Sequence, residues 1–386
     1  MNVSFKTLTP LWTGGADKNS QIIHETGIIG SLRWWYEGII RGMGGYACKG
    51  VEYKDNKKPC RYNPREGKGK ALKAICPACR LFGCTGWRRQ FKIEISGLEE
   101  IPLFFWASKD VYPMAGNWLW RMFGGTDTRG TKEGKGSKIR FTFGVKALWG
   151  EKAVLKITPL GSNGKDIERK LSYLLSRIEN LGAKPQNGFG QVEFLDLSSD
   201  SIDEGKRLIS KDAETSRLLN KTELSRFFST DPKYFFTQYY ELDTQSVKEY
   251  LDKGRVIGVD SDFQRYKQKF IPCAFNIRYK SSAKNPFTGL GKNIGLRPFL
   301  KKEFSEEIVN VLMGNGNPKT EGERSGGRLG VSHLYKKDNA EKYSLKIWGH
   351  VPSDAGVERA RVEEKIEKFF TEYLPNFKKA LPTNGV

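Results

Sequence analysis

Hydrophobic periodicity over the first half of the chain constrains the fold more than any other feature. An apolar alternation of period two over 3–9 predicts a strand, and apolar side chains at helical spacing predict a helix over 28–41. The same patterns predict strands over 91–96, 153–158 and 191–197 and a second helix over 167–181. The order β-α-β-β-α-β is that of a ferredoxin-like domain, in which two helices cover one face of an antiparallel sheet.

Two insertions interrupt this order. A basic, cysteine-containing segment over about 43–90 has little periodicity and is rich in Gly, Pro and Asn, which predicts a surface excursion. Apolar segments over 101–106 and 139–147 predict a hairpin insertion within about 100–147.

The second half repeats the same order less regularly. Composition turns acidic over 197–205, which indicates a domain boundary, and a helical segment is predicted over 204–228. The next predicted elements are strands over 234–242, 271–279, 328–335 and 343–350 and helices over 305–313 and 357–373. We therefore predict an α+β protein with two tandem ferredoxin-like domains, as in RNA-recognition modules, over 1–200 and 201–386.

The net positive charge of the chain limits the kinds of molecule that it is expected to bind. The 386 residues hold 65 Lys and Arg against 44 Asp and Glu, a formal net charge of +21. This surplus favours a polyanion, with nucleic acid ahead of an acidic membrane surface. The first ten residues lack an apolar targeting core, and no stretch has the 18 or more apolar residues of a membrane span. We expect a cytoplasmic protein whose six cysteines form no disulfide.

The charge is concentrated in one segment. Residues 41–92 hold 14 Lys and Arg against 3 Asp and Glu, about half of the surplus, and a second basic, Gly-rich stretch covers 124–140. Either stretch alone is as consistent with a solvated loop as with a binding surface.

The first predicted helix has a polar face that carries an aromatic side chain. At 100° per residue, Arg33, Trp34 and Arg41 lie opposite the apolar stripe, whereas Trp35 lies within it. An indole between two guanidinium groups is suited to stacking an unpaired base while its neighbours bind phosphate. Packing of Trp34 under the insertion or against another subunit is an equal alternative. Small and polar residues open this helix, where backbone amides attract phosphate: Thr26, Gly27, Gly30 and Ser31.

Two Gly-rich turns precede strands. One contains Lys184, Gly188 and Gly190, and the other, over 323–335, contains Arg324 and Arg328. Neither has the Gly-Lys-Ser/Thr ending of a Walker loop or the dinucleotide fingerprint. Glycines here either let the backbone approach a partner or supply positive φ for the turn, and the neighbouring cations favour a backbone contact with nucleic acid.

The cysteine spacing allows a metal site. Cys76 and Cys79 form a C-x2-C pair with Cys84 five positions on, and Cys60, Cys48 or a distant His would complete four zinc ligands. We take Cys60 as the fourth ligand; small buried thiols near a turn are the alternative. Aromatic and basic residues around this motif suit RNA or a subunit contact: Arg80, Phe82, Trp87, Arg88 and Arg89.

Four motifs together resemble the RAMP superfamily of CRISPR proteins, and within it the first-numbered subunit of the Cmr (type III-B) complex. They are LWTGG (11–15), ETGIIGSLRWWYEGIIRG (25–42), CPACRLFGCTGW (76–87) and NGFG (187–190). The resemblance is specific over 5–90 and 182–194 and loose in the second half.

The resemblance implies a subunit that binds the 3′ part of the guide (CRISPR) RNA and the facing end of the target RNA, beside other Cmr-complex subunits. In such complexes base pairing reads the sequence and protein reads backbone and shape. The residues expected to contact RNA are Trp12, Thr13, Gly14, Gly15, Thr26, Gly27, Gly30, Ser31, Arg33, Trp34, Arg41, Arg80, Arg88, Arg89, Lys184, Gly188, Gly190, Arg324 and Arg328. The hairpin insertion, with Arg121, Arg129, Lys132, Lys135 and Lys138, corresponds in topology to the thumb that related subunits wedge into the duplex.

The same resemblance raises the question of catalysis. Metal-independent RNA cleavage by relatives uses a His near the first helix, and the slicing subunit uses an Asp in the preceding loop; His24 and Asp17 occupy such positions. The chain has only three His, and no Lys or Tyr partner for His24 is defined by the sequence. We therefore expect a non-catalytic RNA-binding subunit that needs no cofactor beyond a possible structural zinc; a guide-processing endoribonuclease is the alternative.

Overall fold

The computed structural model describes most of the chain, with gaps in the loops. The described residues are 1–13, 23–48, 60–107, 128–129, 141–161, 163–178, 180–219, 227–252, 269–279, 295–315 and 327–381.

The first domain has the predicted ferredoxin-like sheet. Its strands are β1 (Asn2–Thr7), β2 (Phe91–Ser96), β6 (Ala153–Pro159) and β7 (Val192–Phe194), and its helices are α1 (Glu25–Gly42) and α4 (Gly164–Arg177). The sheet order is β2-β6-β1-β7, and every pair is antiparallel. Alternation on β1 buries Val3 and Phe5, and the apolar stripe of α1 buries Leu32 and Trp35. The predicted order of elements in this domain is confirmed.

Both insertions are also present. The hairpin consists of β3 (Glu99–Ala107) and β5 (Phe141–Trp149), which pair antiparallel, with the short strand β4 (Thr128–Arg129) on the far side of β5. The cysteine-containing insertion forms a 3-10 turn at Pro64–Glu66 and the short helices α2 (Lys68–Lys73) and α3 (Pro77–Phe82). Arg121, Lys132, Lys135 and Lys138 lie outside the described residues.

The helix α5 (Ser199–Ser216) leads into a second sheet with the same strand order. The strands are β8 (Phe235–Leu242), β9 (Phe270–Ile271), β10 (Leu329–Val331), β11 (Leu334–Tyr335), β12 (Tyr343–His350) and β13 (Lys378–Ala380). The helices are α6 (Thr244–Asp252), α7 (Ala274–Arg278), α8 (Leu296–Glu303), α9 (Glu306–Met313) and α10 (Arg359–Tyr373). β13, β8 and β12 are adjacent, and β10 and β11 both pair with β12. The order β13-β8-β12, with β10 and β11 beside β12, corresponds to the order β7-β1-β6-β2 of the first sheet. The prediction of two ferredoxin-like domains is therefore confirmed.

Several elements of the second half differ from the sequence prediction, among them the helices α6 and α8, which were not predicted. The expected strand over 271–279 is wrong, because the chain leaves the sheet after Ile271 and forms α7. The backbone amides of Cys273 and Ala274 donate to Nδ1 of His333, at 3.3 and 3.2 Å, which draws this segment away from the strand ladder. A short apolar run does not distinguish a strand from a buried helix. The helix expected over 204–228 is displaced, since α5 ends at Ser216, and the polar strand β13 was not predicted.

The two domains share apolar contacts. Phe5 and Trp35 belong to a core within the first domain, whereas Trp12 and Phe189 of the first domain lie in the core of the second, with residues such as Phe299. No helix in the described part of the chain is long and apolar enough to cross a bilayer.

Candidate nucleic-acid interface

Three segments that the sequence predicts to contact RNA meet at one place. They are 11–13, 24–27 and 182–190, and together they form the three-segment junction. The amide of His24 donates to Oγ1 of Thr13 at 3.2 Å, and the amide of Ala183 donates to the carbonyl of Trp12 at 2.7 Å. The segment after β1, the start of α1 and the Gly-rich turn are therefore held together by hydrogen bonds from backbone amides. Gly14 and Gly15 lie outside the described residues.

Trp12 and Thr13 are buried at this junction, so their expected contact with RNA is corrected. The Trp12 ring is 1% exposed and packs edge-on against Phe189, with ring centroids 5.3 Å apart. The ammonium of Lys184 lies 4.4 Å from the centroid of the Trp12 ring, a cation–π distance. Lys184 is half-buried. Trp12 thus supports Lys184 and does not present a ring face for base stacking.

The glycines of the turn allow close packing, between the domains at Gly188 and within the first domain at Gly190. Gly188 has φ 97°, and a Cβ there would lie 2.8 Å from both Cβ of Ala274 and the amide nitrogen of His333. Gly190 has φ 78°, and its Cβ would lie 2.0 Å from the carbonyl oxygen of Leu181. Both residues are buried, so the expected RNA contact at Gly188 and Gly190 is corrected. The lack of a side chain at Gly188 lets the second domain approach the turn, and the lack of one at Gly190 lets the turn pack against Leu181 of the first domain.

The first turn of α1 remains accessible. Thr26 and Gly30 are exposed, and Gly27 and Ser31 are half-buried. The helix begins after His24 without a side-chain cap, but Glu25 in the first turn already supplies negative charge at this end. Because of this negative charge, the start of α1 would attract a phosphate only weakly.

Arg33 and Arg41 point into the protein. Arg33 donates to Oε1 of Glu37 at 2.8 Å and to the carbonyl of Gly83 at 2.8 Å. Arg41, which is 6% exposed, donates to Glu37 and to the carbonyls of Ala47, Cys48 and Phe228. Burial raises the pKa of the Glu37 carboxyl, and the two guanidinium groups oppose that shift. The expected phosphate contacts of Arg33 and Arg41 are therefore corrected: both charges are used internally.

Trp34 also has a protein partner. Its ring stacks on Phe228, with centroids 3.6 Å apart and an interplanar angle of 13°. Trp35 and Trp348 approach the same indole edge-on, at 5.2 and 6.2 Å. Trp34 is half-buried. Trp34 therefore packs against other elements of the protein, which was the alternative expectation for this residue. The face of the indole that Phe228 covers cannot stack on a base.

The cysteine-containing insertion carries the exposed positive charge. Residues 60–90, which we call the basic lobe, are held together by the amide of Tyr62 donating to the carbonyl of Thr85 at 2.9 Å and by the Tyr62 and Trp87 rings, 4.9 Å apart. Its exposed cations are Arg61, Arg65, Lys68, Lys70, Lys73 and Arg88. None of these six forms an ion pair with a carboxylate of the described chain. The basic lobe therefore presents six cations without ion pairs to solvent, against the one exposed carboxylate of Glu66.

Arg80 and Arg89 have a different role within the same lobe. Arg80 donates to the carbonyl of Ile75 at 3.2 Å and lies 3.7 Å from Asp212. Arg89 donates to the carbonyl of Phe91 at 2.6 Å. Both side chains are half-buried and fix the lobe to its neighbours.

The second Gly-rich turn is described only in part. Arg324 lies outside the described residues, and Arg328 immediately precedes β10. The amide of Arg328 donates to the carbonyl of Leu312 at 2.9 Å, and its carbonyl accepts from the amide of His350 at 3.0 Å. The backbone of Arg328 is therefore fixed at the start of β10.

Four thiols of the first domain lie together. The Sγ atoms of Cys48, Cys60, Cys76 and Cys79 all lie within 4.8 Å of one another. This set corrects the predicted ligands, because Cys84 lies outside it and Cys48 lies within it. Gly83, at φ 89°, starts a turn in which Cys84 pairs with Trp87, and the Cys84 thiol lies 3.8 Å from the carbonyl of Thr85.

A polar cleft between the domains was not predicted. Its volume is about 460 Å³, and its basic lining consists of Arg177, Lys337 and Lys346, beside Glu193 of β7. Burial lowers the pKa of Lys346 to about 7. A lysine within the otherwise apolar strand YSLKIWGH is the sequence signal that could have identified this cleft.

Two of the three histidines are unavailable for acid–base chemistry. His333 and His350 are buried, and burial lowers the pKa of each to about 3. His24 is half-buried at the start of α1, and Asp17 lies outside the described residues. Acid–base catalysis by a histidine of this chain would therefore depend on His24.

Comparison with known proteins places these features in a family. The sequence model described as the RAMP superfamily matches residues 4–193, about half of the chain and the whole first ferredoxin-like sheet. No curated protein matches the chain. Among solved structures, the chain is similar to that of Cmr1 from Pyrococcus furiosus (apo form), at 12% identity and a TM-score of 0.37, with 91% of this chain and 88% of that chain covered. The chain belongs to the RAMP superfamily, the family of CRISPR proteins that its four motifs resemble.

Proposed function

We propose that this protein is an RNA-binding subunit of a type III-B CRISPR (Cmr) ribonucleoprotein complex. It contacts the 3′ part of the guide RNA and the paired target RNA, beside other subunits of the complex. The single observation that carries the binding role is the basic lobe, whose six exposed cations form no ion pair within the described chain and outnumber its one carboxylate, Glu66. Membership of the RAMP superfamily supports the CRISPR context.

The charge distribution of the basic lobe fits a polyanion better than a compact acidic ligand. Its charges are Lys and Arg on a short helix and two turns, spread over a surface and not converging on a pocket. Such side chains bind phosphates by charge and release counterions, which gives affinity without sequence preference. That is the kind of contact needed where guide and target supply the specificity by pairing.

The experiment is a charge-matched pair of triple variants. Arg61→Gln, Lys68→Gln and Lys70→Gln remove three lobe charges, and Lys301→Gln, Lys368→Gln and Lys379→Gln remove three exposed charges of the second domain. The control lysines are paired with Glu306, Glu303 and Glu367. Binding of single-stranded RNA, measured by fluorescence anisotropy, should weaken about tenfold or more in the lobe variant and little in the control. Equal loss in both would contradict a localised lobe contact.

We propose a binding rather than a catalytic role, with a guide-processing endoribonuclease as the competing activity. His24 is the histidine on which that activity would depend, since His333 and His350 are buried. Radiolabelled repeat RNA incubated with the protein without metal should remain intact while it is retained on a filter. Cleavage products that disappear in His24→Ala would establish the endoribonuclease instead.

A further inference from the structure

The four clustered thiols have the arrangement of a metal site. The Sγ atoms of Cys48 and Cys79 lie 3.4 Å apart and those of Cys48 and Cys76 lie 3.7 Å apart, and all four sulfurs lie within 4.8 Å of one another. Four sulfurs arranged tetrahedrally at about 2.3 Å from a zinc ion are separated by about 3.8 Å. A disulfide needs about 2.05 Å. The spacing therefore fits one ion shared by four thiolates.

We propose that Cys48, Cys60, Cys76 and Cys79 bind one zinc ion in a closed, structural site. The inference is independent of RNA binding, since it depends only on the thiol geometry and its surroundings. Three of the four residues are buried and Cys60 is half-buried, so the cluster offers no open position for a substrate.

Backbone amides hold the sulfurs in place. Cys76 stands immediately before α3, where its Sγ lies 3.5 Å from the amide nitrogen of Cys79. The amide of Cys76 in turn lies 3.3 Å from Sγ of Cys60. Hydrogen bonds to ligand atoms orient them for the metal and spread the charge of the thiolates. The C-x2-C pair at the start of α3 thus provides two of the ligands, Cys76 and Cys79. The segments before it provide the other two, Cys48 and Cys60.

The surroundings also offset the charge of a loaded site. Four thiolates and one Zn²⁺ carry a net charge of −2, which is costly to bury without cations. Nη2 of Arg33 lies 3.2 Å from Sγ of Cys79, and Nη2 of Arg41 lies 3.2 Å from the carbonyl of Cys48. Glu37 orients both guanidinium groups from between them on α1. This accounts for two arginines that point away from solvent in a protein whose other charges suit RNA.

The site would fasten the basic lobe to the first helix. Cys48 follows the end of α1, Cys60 begins the lobe, and the C-x2-C pair lies in its middle. The side of α3 packs on the same helix through Phe82 and Tyr36, whose ring centroids are 5.5 Å apart. One ion therefore closes the loop between α1 and the lobe.

Metal analysis of the full chain, purified without added metal, tests the proposal. Wild type and Cys84→Ser should each contain about one zinc per chain, whereas Cys48→Ser should contain almost none. Cys84 is the matched control, because it shares the motif and lies outside the cluster. A stoichiometry near zero in the wild type, or loss of zinc in Cys84→Ser with retention in Cys48→Ser, would overturn the assignment.

X-ray absorption at the zinc edge on the wild-type protein and on Cys84→Ser tests the ligand set even if Cys48→Ser fails to fold, because only a site without Cys84 keeps four sulfur ligands in both proteins. The expected result is four sulfur ligands at about 2.3 Å. Nitrogen or oxygen ligands in the shell would replace at least one of the four cysteines and reject the proposed site.

Discussion

Arg33 of the first helix lies against Cys79 of the basic lobe, with Nη2 3.2 Å from Sγ. This contact joins two features that the sequence presents separately, an arginine-flanked tryptophan pair and a cysteine motif. The same arginine also donates to the carbonyl of Gly83 at 2.8 Å. The polar face of α1 is therefore a support for the lobe, and the lobe carries a cluster of six solvent-exposed cations.

Truncation of Arg41 tests the internal role of the helix arginines. Arg41→Met leaves Glu37 buried with one partner fewer and removes donors from three carbonyl groups, so we expect a loss of about 3–5 kcal/mol in the free energy of unfolding. Urea denaturation followed by tryptophan fluorescence measures it. Arg88→Met, an exposed control, should change stability by less than about 0.5 kcal/mol. Similar values for both variants would contradict the buried role of Arg41.

Replacement of Trp34 separates packing from base stacking. Trp34→Ala removes the ring stacked on Phe228, and because the indole is half-buried we expect a loss of about 2 kcal/mol in stability. Affinity for single-stranded RNA should stay within about twofold of wild type, whereas a stacked base contributes about 1–3 kcal/mol. Phe228→Leu should reproduce the stability loss. A tenfold weaker complex with unchanged stability would restore Trp34 as a base contact.

Substitution of Gly188 tests the packing between the domains. In Gly188→Ala the new Cβ meets Ala274 and His333 at 2.8 Å in a left-handed backbone conformation, so we expect a loss of about 2 kcal/mol or more in the free energy of unfolding. Gly69→Ala is the control, because a Cβ at Gly69 meets no atom within 4 Å. Thermal denaturation should show a lower Tm for Gly188→Ala alone; an unchanged Tm would mean that the turn and the second domain are not packed as described.

Acid should destabilise the second domain through its buried histidines. The folded-state pKa of His350 is about 3 because of burial and the nearby Arg328 and Arg41 charges, whereas an unfolded His titrates near 6.5. Between these values the unfolded state binds the extra proton, so stability is full above about pH 6.5 and falls as pH decreases towards 3, by about 1.4 kcal/mol per pH unit. In urea titrations from pH 6.5 to 5, His350→Phe should make this dependence shallower by about 1.4 kcal/mol per pH unit, and the remaining dependence comes from His333, whose pKa burial also lowers to about 3. Parallel slopes for variant and wild type would show that His350 does not titrate in this way.

The sequence predicts the first domain better than the second for a physical reason. The side chains of strands such as β1 alternate between the core and the surface, and α1 has a continuous apolar stripe. The spacing of apolar residues along the sequence is therefore enough to identify these elements. The segment after Ile271 is mostly apolar, and its helical form depends on hydrogen bonds to His333, which is 60 residues away from Cys273 in sequence. Such long-range partners leave no local pattern.

The same limit applies to the candidate site. Charge counting identifies the basic lobe, because its Gly-rich and polar sequence cannot bury the cations. It does not show that Arg33 and Arg41 turn inward, since helical spacing places them opposite the core stripe and the lobe that covers them is distant in sequence. Spacing likewise identifies Cys76 and Cys79 as a pair, whereas the choice between Cys48 and Cys84 depends on the turn at Gly83.

The salt dependence of RNA binding tests the central claim most directly. If the lobe cations contact phosphates, the logarithm of the affinity for single-stranded RNA falls linearly with the logarithm of salt concentration, with a slope of about −0.7 per phosphate neutralised. Removing Arg61, Lys68 and Lys70 should make this slope shallower by about 2, and the Lys301, Lys368 and Lys379 control should leave it unchanged. A flat salt response in the wild type, or the same slope in all three proteins, would contradict an RNA contact through the basic lobe.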